Sequence, residues 1–250
     1  MDSAHPPQTK YRTVLVKLSG ETLQNKAQGL CIDPDVIATI ATRLQTIPKM
    51  GARVALVVGG GNIFRGVTGA TRGINRNSGD YMGMLATIIN ALALQDAMEK
   101  IGLETRVQSA IDMHKVAEPF ILRRALRHLD KRRVLIFAGG TGNPYFSTDS
   151  AAALRASEIG ADVLLKATKV DGIYSEDPHV NPRAERYPWI SYQDALNRSL
   201  KVMDGAAFSL CMENRIPIVV FNFFQEGSIE AVVRGEAIGT LVSHQAPSKR

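Results

Sequence analysis

Lys17, Arg65, Lys166 and Lys169 stand where a chain could present cations to phosphate. Lys17 lies in the run Thr13-Val14-Leu15-Val16-Lys17-Leu18, which leads into Ser19-Gly20-Glu21. An ammonium at a strand's carboxyl end beside a glycine turn can reach an anion; a solvated edge lysine has the same local sequence. Arg65 falls in a second stretch, Gly59-Gly60-Gly61-Asn62-Ile63-Phe64-Arg65-Gly66. Consecutive glycines cost conformational entropy and give a backbone that can wrap an anion, with the guanidinium as a charged fork. A third stretch, Gly139-Gly140-Thr141-Gly142-Asn143-Pro144, follows the apolar run Val134 to Ala138 and leads through Ser147-Thr148-Asp149 into alanine-rich sequence. The order is strand, glycine loop, helix. At such a helix start unpaired N–H groups and the positive dipole end converge, which makes an anion site. Glycine sites with cations imply two phosphate groups brought face to face. Positioning and cationic clamping then supply most of the catalysis, and no nucleophilic side chain is required. Asp149 or Asp171 could orient the lysines or help hold Mg²⁺, which takes few carboxylates plus phosphate oxygens.

The elements that must position these residues alternate. Val54 to Val58, Glu104 to Gln108, Val134 to Ala138, Ala161 to Lys169, Pro217 to Phe221 and Ile238 to Val242 read as strands beside the first one. Helices are expected from Asp33-Pro34 to about Met50, from Tyr81 to Lys100 with Asp80 as cap, and from Pro119 to Leu129. Further helices are expected from Ser147 into the alanine run, at Ser191 to Leu200, at Asp204 to Asn214 and at Ser228 to Arg234. Gln24 to Cys31 and Val67 to Gly79 read as loops, and Ile173 to Trp189 as a proline-rich excursion. Tyr174 offers a ring for an adenine or is a core tyrosine in a turn, and Arg123, Arg124 and Arg127 form a solvated face or an effector site. Strand and helix in alternation predict an α/β fold, a mainly parallel sheet covered on both faces. The expected organisation is an arm over 1–12, one domain over 13–243 and a tail over 244–250.

Composition narrows the function. The chain has 250 residues, 45% hydrophobic and 22% charged, close to average globular usage, and its net charge of +6 favours anionic ligands without requiring nucleic acid. Cys31 and Cys211 are far apart and outside any C-x-x-C spacing, so a reduced, cytoplasmic compartment is expected. No apolar run approaches the roughly 18 residues of a membrane span, and the first residues lack a secretory pattern. The P-loop, G-x-G-x-x-G, G-x-S-x-G and H-E-x-x-H patterns are absent, which removes P-loop NTPases, ordinary Rossmann dehydrogenases and the obvious hydrolases. The histidines lack metal spacing, and no protein-borne metal site is expected.

Taken together, KLSGE at Lys17 to Glu21, GGGNIFRG at Gly59 to Gly66, GDYMGMLAT at Gly79 to Thr87, GTGNPYFSTDSAA at Gly140 to Ala152, LKATKVDGIY at Leu165 to Tyr174 and LKVMD at Leu200 to Asp204 resemble the bacterial uridylate (UMP) kinases of the amino acid kinase family. The likeness runs from Tyr11 to His244. It implies an αβα sandwich, transfer from MgATP to UMP in pyrimidine nucleotide biosynthesis, and a homohexamer activated by GTP and inhibited by UTP. It also implies roles. Lys17, Leu18, Ser19, Gly20, Gly61 and Arg65 would line the ATP phosphates, with Thr168, Tyr174 and Asp177 at the nucleoside end. Gly60, Asp80, Thr141, Gly142, Asn143, Pro144, Tyr145, Phe146, Ser147 and Thr148 would hold UMP, Asp80 on the ribose hydroxyls. Lys17, Arg65, Asp149 and Lys169 would be catalytic. The loop Asn25 to Cys31 departs from the family pattern, one residue longer and ending in Cys31 in place of glycine. Two other readings stay open: another kinase of this family acting on a carboxylate or carbamate, and a nucleotide-responsive regulatory or storage protein of the same fold.

Overall fold

The computed structural model describes residues 9–65, 73–176, 178, 180–198, 200 and 202–247. Its centre is a nine-stranded sheet in the order β4-β3-β5-β2-β1-β6-β10-β11-β9. The middle strands are β1 (Thr13–Leu18), β2 (Arg53–Val58), β5 (Val134–Ala138), β6 (Val163–Thr168) and β10 (Ile218–Asn222), with β3 (Thr105–Ser109) and β4 (Glu118–Pro119) at one edge. At the other edge lie β9 (Trp189–Ile190) and β11 (Thr240–Val242), and the β10–β11 pairing is antiparallel while the other pairings of this sheet are parallel. A ribbon of β7 (Ile173–Tyr174) and β8 (Arg186–Tyr187) stands apart.

Both faces of the sheet are covered, which is why its strands are apolar at successive positions rather than alternate ones. Val14, Val16 and Leu18 of β1 belong to one core, with Ile37 and Ile40 from α1 (Pro34–Leu44), Leu94 and Met98 from α3 (Arg76–Lys100) and Val232 from α8 (Ser228–Arg234). Leu15 belongs to the opposite core, with Leu129 from α4 (Leu122–Asp130), Ala152 and Ala156 from α5 (Thr148–Glu158) and Phe208 from α7 (Gly205–Glu213). The expected αβα sandwich is the fold observed.

Several boundaries move for local reasons. The first helix stops at Leu44, and the short α2 (Thr46–Lys49), which contains Pro48, completes the segment read as continuous to Met50. α3 begins at Arg76 with Asn75 as its cap, its side chain accepting from the Asn77 N–H, so Asp80 lies one turn inside the helix instead of capping it. Pro119 is not helical: Glu118–Pro119 pairs with Gln108 and Ser109 at the sheet edge, where a missing N–H is tolerated. The segment expected from Ser191 to Leu200 yields only α6 (Tyr192–Asn197).

β1 is the switch point. Its neighbours β2 and β6 lead to opposite wings, and in such sheets the crevice beyond the strands' carboxyl ends is where ligands bind. Leu18, Val58, Ala138 and Thr168 all end strands on that side.

Candidate phosphate-transfer site

Beyond these strand ends lies a cavity of about 600 Å³, lined among others by Lys17, Ser19, Gly20, Gly60, Gly61, Arg65, Asp80, Thr141 and Asp149. Its deepest chemistry follows from strand parity. Lys17 and Lys166 are Cα partners on adjacent parallel strands and share the face that carries Leu15 and Leu164. Two like charges side by side repel, and Asp149 at the start of α5 offsets them. Lys166 Nζ donates to Asp149 Oδ2 at 2.6 Å. Lys17 Nζ approaches Oδ1 at 2.7 Å, an approach of charge rather than an aligned hydrogen bond. Burial pushes the Asp149 carboxyl upward, but the Lys17 and Lys166 charges outweigh it and hold it below the usual aspartate range. Burial lowers the Lys166 pKa despite Asp149, with the Lys17 charge acting in the same direction as burial. The end of the cavity therefore presents the Lys17 ammonium, held in place by Asp149, with Lys166 behind it on the far side of the same carboxylate.

The helix start that places Asp149 is built from side chains. Ser147 caps it, accepting from the Asp149 and Ser150 N–H groups at 3.0 and 3.1 Å. Asp204 holds both hydroxyls of this turn, accepting from Ser150 Oγ at 2.9 Å and from Ser147 Oγ, and it caps α7 through the Ala207 N–H. One aspartate thus ties two helix starts together. The sequence places Asp204 only at a helix start, because the two hydroxyls it also holds lie 54 and 57 residues away.

The opposite wall is the Asp80 side. Asp80 Oδ2 accepts from Arg76 Nε and from the Tyr145 N–H, each at 2.8 Å. Tyr145 sits at φ 71, a conformation unusual for a non-glycine residue, and the Arg76 guanidinium lies 5.6 Å from its ring centroid. Tyr145 and Phe146 are exposed at the cavity mouth. Ser147 and Thr148 also line the cavity, whereas Gly142, Asn143 and Pro144 belong to the same loop away from the lining. At the rim Arg65 Nη2 pairs with Glu21 Oε1, and its guanidinium lies beside Gly61.

The remaining expected residues that the structure describes do not line the cavity. Leu18 is buried in the core. Lys169 lies exposed just past β6, and of the lysines that Asp149 could orient the structure brings Lys17 and Lys166 to it. Thr168 directs its hydroxyl to the carbonyls of Val170 and Phe221 at 2.5 and 3.1 Å. Tyr174 donates to Asp171 Oδ1 at 2.6 Å, so Asp171 serves the β7–β8 ribbon and Arg186 rather than the lysines. Asp177 lies outside the described residues. Among the described residues, no group of three or more His, Cys, Asp or Glu side chains is placed to hold a metal, and both Asp149 oxygens face ammonium groups.

This geometry has close counterparts. A crystal structure of UMP kinase from Bacillus anthracis superposes with a TM-score of 0.91 at 38% identity, covering 94% of this chain and 97% of that one. UMP kinase from Ureaplasma parvum gives 0.87 at 38% identity, with 94% and 99% covered. Uridylate kinase from Archaeoglobus fulgidus gives 0.70 at 29% identity, with 92% and 99% covered. The model of the amino acid kinase family matches residues 12–222. With a strand-end lysine, glycine loops and helix start in one crevice and a family match over most of its length, the chain belongs to the amino acid kinase family.

Proposed function

We propose that this protein is a UMP kinase, transferring the γ-phosphoryl group of ATP to UMP to give ADP and UDP. The observation that carries the reading is the Lys17–Asp149–Lys166 assembly at the end of a cavity whose other wall holds Asp80. It is supported by whole-length likeness to UMP kinases at 38% identity. In the reaction an oxygen of the UMP phosphate attacks the γ-phosphorus. The bond to the β,γ-bridging oxygen breaks, and ADP leaves with its electron pair. Both phosphates are already ionised, so no base is required and the protein's task is alignment and charge.

In this reading Lys17, Ser19, Gly20, Gly61 and Arg65 hold the ATP phosphates, and Lys17 and Arg65 follow charge onto the moving group. Asp149 keeps Lys17 and Lys166 in register. Lys169, at the end of the same strand as Lys166, is a cation on the ATP side, with Leu18 supplying backbone and Thr168, Tyr174 and Asp177 at the nucleoside end. Gly60 and the loop Thr141 to Thr148 hold UMP. Asp80 spends Oδ2 on Arg76 and Tyr145, leaving Oδ1 for the ribose hydroxyls. Mg²⁺ enters as part of MgATP, held by phosphate oxygens and water, which suits a site whose carboxylate is occupied by ammonium groups.

The unit doing this is a single domain over 13–243 in a cytoplasmic enzyme; among the described residues no helix is long and apolar enough to cross a membrane. The assembly is a homohexamer. Its support here is an exposed apolar row on α3, Tyr81, Met82, Leu85 and Ile89, between 42% and 49% exposed, a surface suited to a second copy. UTP competes through the uridine that the Asp80 wall recognises, and GTP activates. The test is ADP release from MgATP against UMP, CMP, dUMP, AMP, GMP, acetylglutamate, aspartate and carbamate, with and without GTP. Turnover confined to UMP is expected; turnover on a carboxylate or carbamate overturns the reading.

A further inference from the structure

Asn90 is completely buried on α3, and its amide is satisfied by the site's own loops. Its Nδ2 donates to the Gly59 carbonyl at 2.7 Å and to Asn62 Oδ1 at 2.7 Å. Its Oδ1 accepts from Asn62 Nδ2 at 3.0 Å, and that same Nδ2 donates to the Cys31 carbonyl at 2.8 Å. The orientation is fixed by chemistry, since a carbonyl only accepts and Asn90 must turn its NH₂ toward Gly59. The result is a closed pair of amides. Gly20 packs directly on it: a Cβ there would stand 2.5 Å from Asn62 Oδ1 and 2.5 Å from the Gly59 carbonyl. Helix, first glycine turn, second glycine loop and the end of the Asn25–Cys31 loop therefore meet at these two side chains. Neither side chain lines the cavity.

We infer that the Asn62–Asn90 pair is a positioning unit that sets the spacing between the Ser19-Gly20 and Gly59-Gly61 walls, and with it the alignment of the transferring phosphoryl group. This rests on the phosphoryl-transfer reading above. A displacement of about 1 Å can cost on the order of a hundredfold in rate. Asn90→Ala removes the donor to the Gly59 carbonyl and to Asn62 Oδ1, leaving Asn62 held only through the Cys31 carbonyl, and the expected effect is a kcat about a hundredfold lower with KM for UMP within about threefold. Because the two amides act as one, Asn62→Ala should match that loss, and the double variant should add little to either.

The experiment measures kcat, KM and melting temperature for the wild type, both single variants and the double, beside Leu94→Ala, a fully buried core truncation on the same helix. Amide hydrogen exchange over 59–61 is followed in the same proteins. A kcat loss absent from Leu94→Ala at equal stability, non-additivity, and faster exchange over 59–61 support the pair. Multiplying effects, or a kcat that tracks stability alone, overturn it. If Asn90→Ala does not fold, Asn62→Ala, at a part-exposed position, carries the test. A wild type inactive on UMP removes the reaction assignment but leaves the exchange measurement, where unchanged protection over 59–61 in the variants sinks the positioning unit by itself.

Discussion

The loops Gly59–Gly61 and Gly139–Gly142 both follow a buried strand and both border the same cavity, yet they need glycine for different reasons. None of Gly59, Gly60 and Gly61 adopts the left-handed backbone. At the first two what is missing is room: a Cβ on Gly59 would lie 2.9 Å from the Gly20 nitrogen, and one on Gly60 would lie 2.7 Å from the Gly83 carbonyl and 2.8 Å from the Ala86 Cβ. In the second loop Gly139, Gly140 and Gly142 all sit at positive φ, between 59 and 81°. There glycine supplies a conformation, and the turn it makes delivers Ser147 to the start of α5. A glycine-rich motif thus combines two constraints that sequence alone presents as one.

Substitution by alanine separates them. The largest effect is expected at Gly60. Its methyl group would press on the backbone of α3, which cannot yield as a side-chain tip can, so the helix and the Asp80 wall must shift. Gly60→Ala should destabilise by about 1–3 kcal/mol and lower kcat on the order of a hundredfold, read by thermal melting and steady-state kinetics. Gly142→Ala comes next, because it meets both constraints: φ is 81° and the Cβ would stand 2.9 Å from the Ala110 carbonyl. It should lose stability about as Gly60→Ala does while keeping more of its activity, since Gly142 is off the cavity lining. Gly140→Ala is the clean conformational case, with only Met84 Cγ nearby at 3.8 Å and φ at 59°. A loss of about 1–2 kcal/mol is expected from the left-handed backbone alone, and Gly140→Asn should recover part of it. If Gly140→Ala hurt turnover more than Gly60→Ala, the division between room and conformation would be wrong.

The same division explains what the sequence displayed and what it hid. Features carried by neighbours in the chain were legible: the strand-end Lys17, the Ser147 cap ahead of Asp149, and the parallel order that puts Leu18, Val58 and Ala138 at one end of a sheet. Features carried by distant partners were not. Asn90 reads as one polar residue in an apolar helix, and only the fold brings Gly59 and Asn62, 31 and 28 residues away, to its amide. Gly60 looks like an anion-binding glycine because nothing nearby announces Gly83 and Ala86 as its neighbours. Lys166 and Lys169 are equivalent in sequence as cations around the end of one strand. Parity in β6 decides between them for Asp149, because Leu164 and Lys166 share the face on which α5 packs. Asp80 had the helix signature of a cap, and Asn75 took that role because its side chain reaches the Asn77 N–H, leaving Asp80 to join Arg76 and Tyr145.

Gly61 is the position where both constraints are weakest and the comparison is sharpest. Its φ is outside the left-handed region, and the nearest atom to an added Cβ is Arg65 Nε at 3.0 Å, on a flexible and exposed side chain. Arg65 can move aside at little structural cost, so Gly61→Ala should change stability by no more than about 0.5 kcal/mol, the range of surface substitutions. What moves is the guanidinium that, in the proposed reaction, follows charge onto the phosphoryl group. A fall in kcat without a fall in melting temperature is therefore expected, and an Arg65→Ala background should abolish most of it, because there the added methyl group has nothing to displace. A stability loss at Gly61 equal to that at Gly60 would mean that the whole loop, and not two of its glycines, is held by packing.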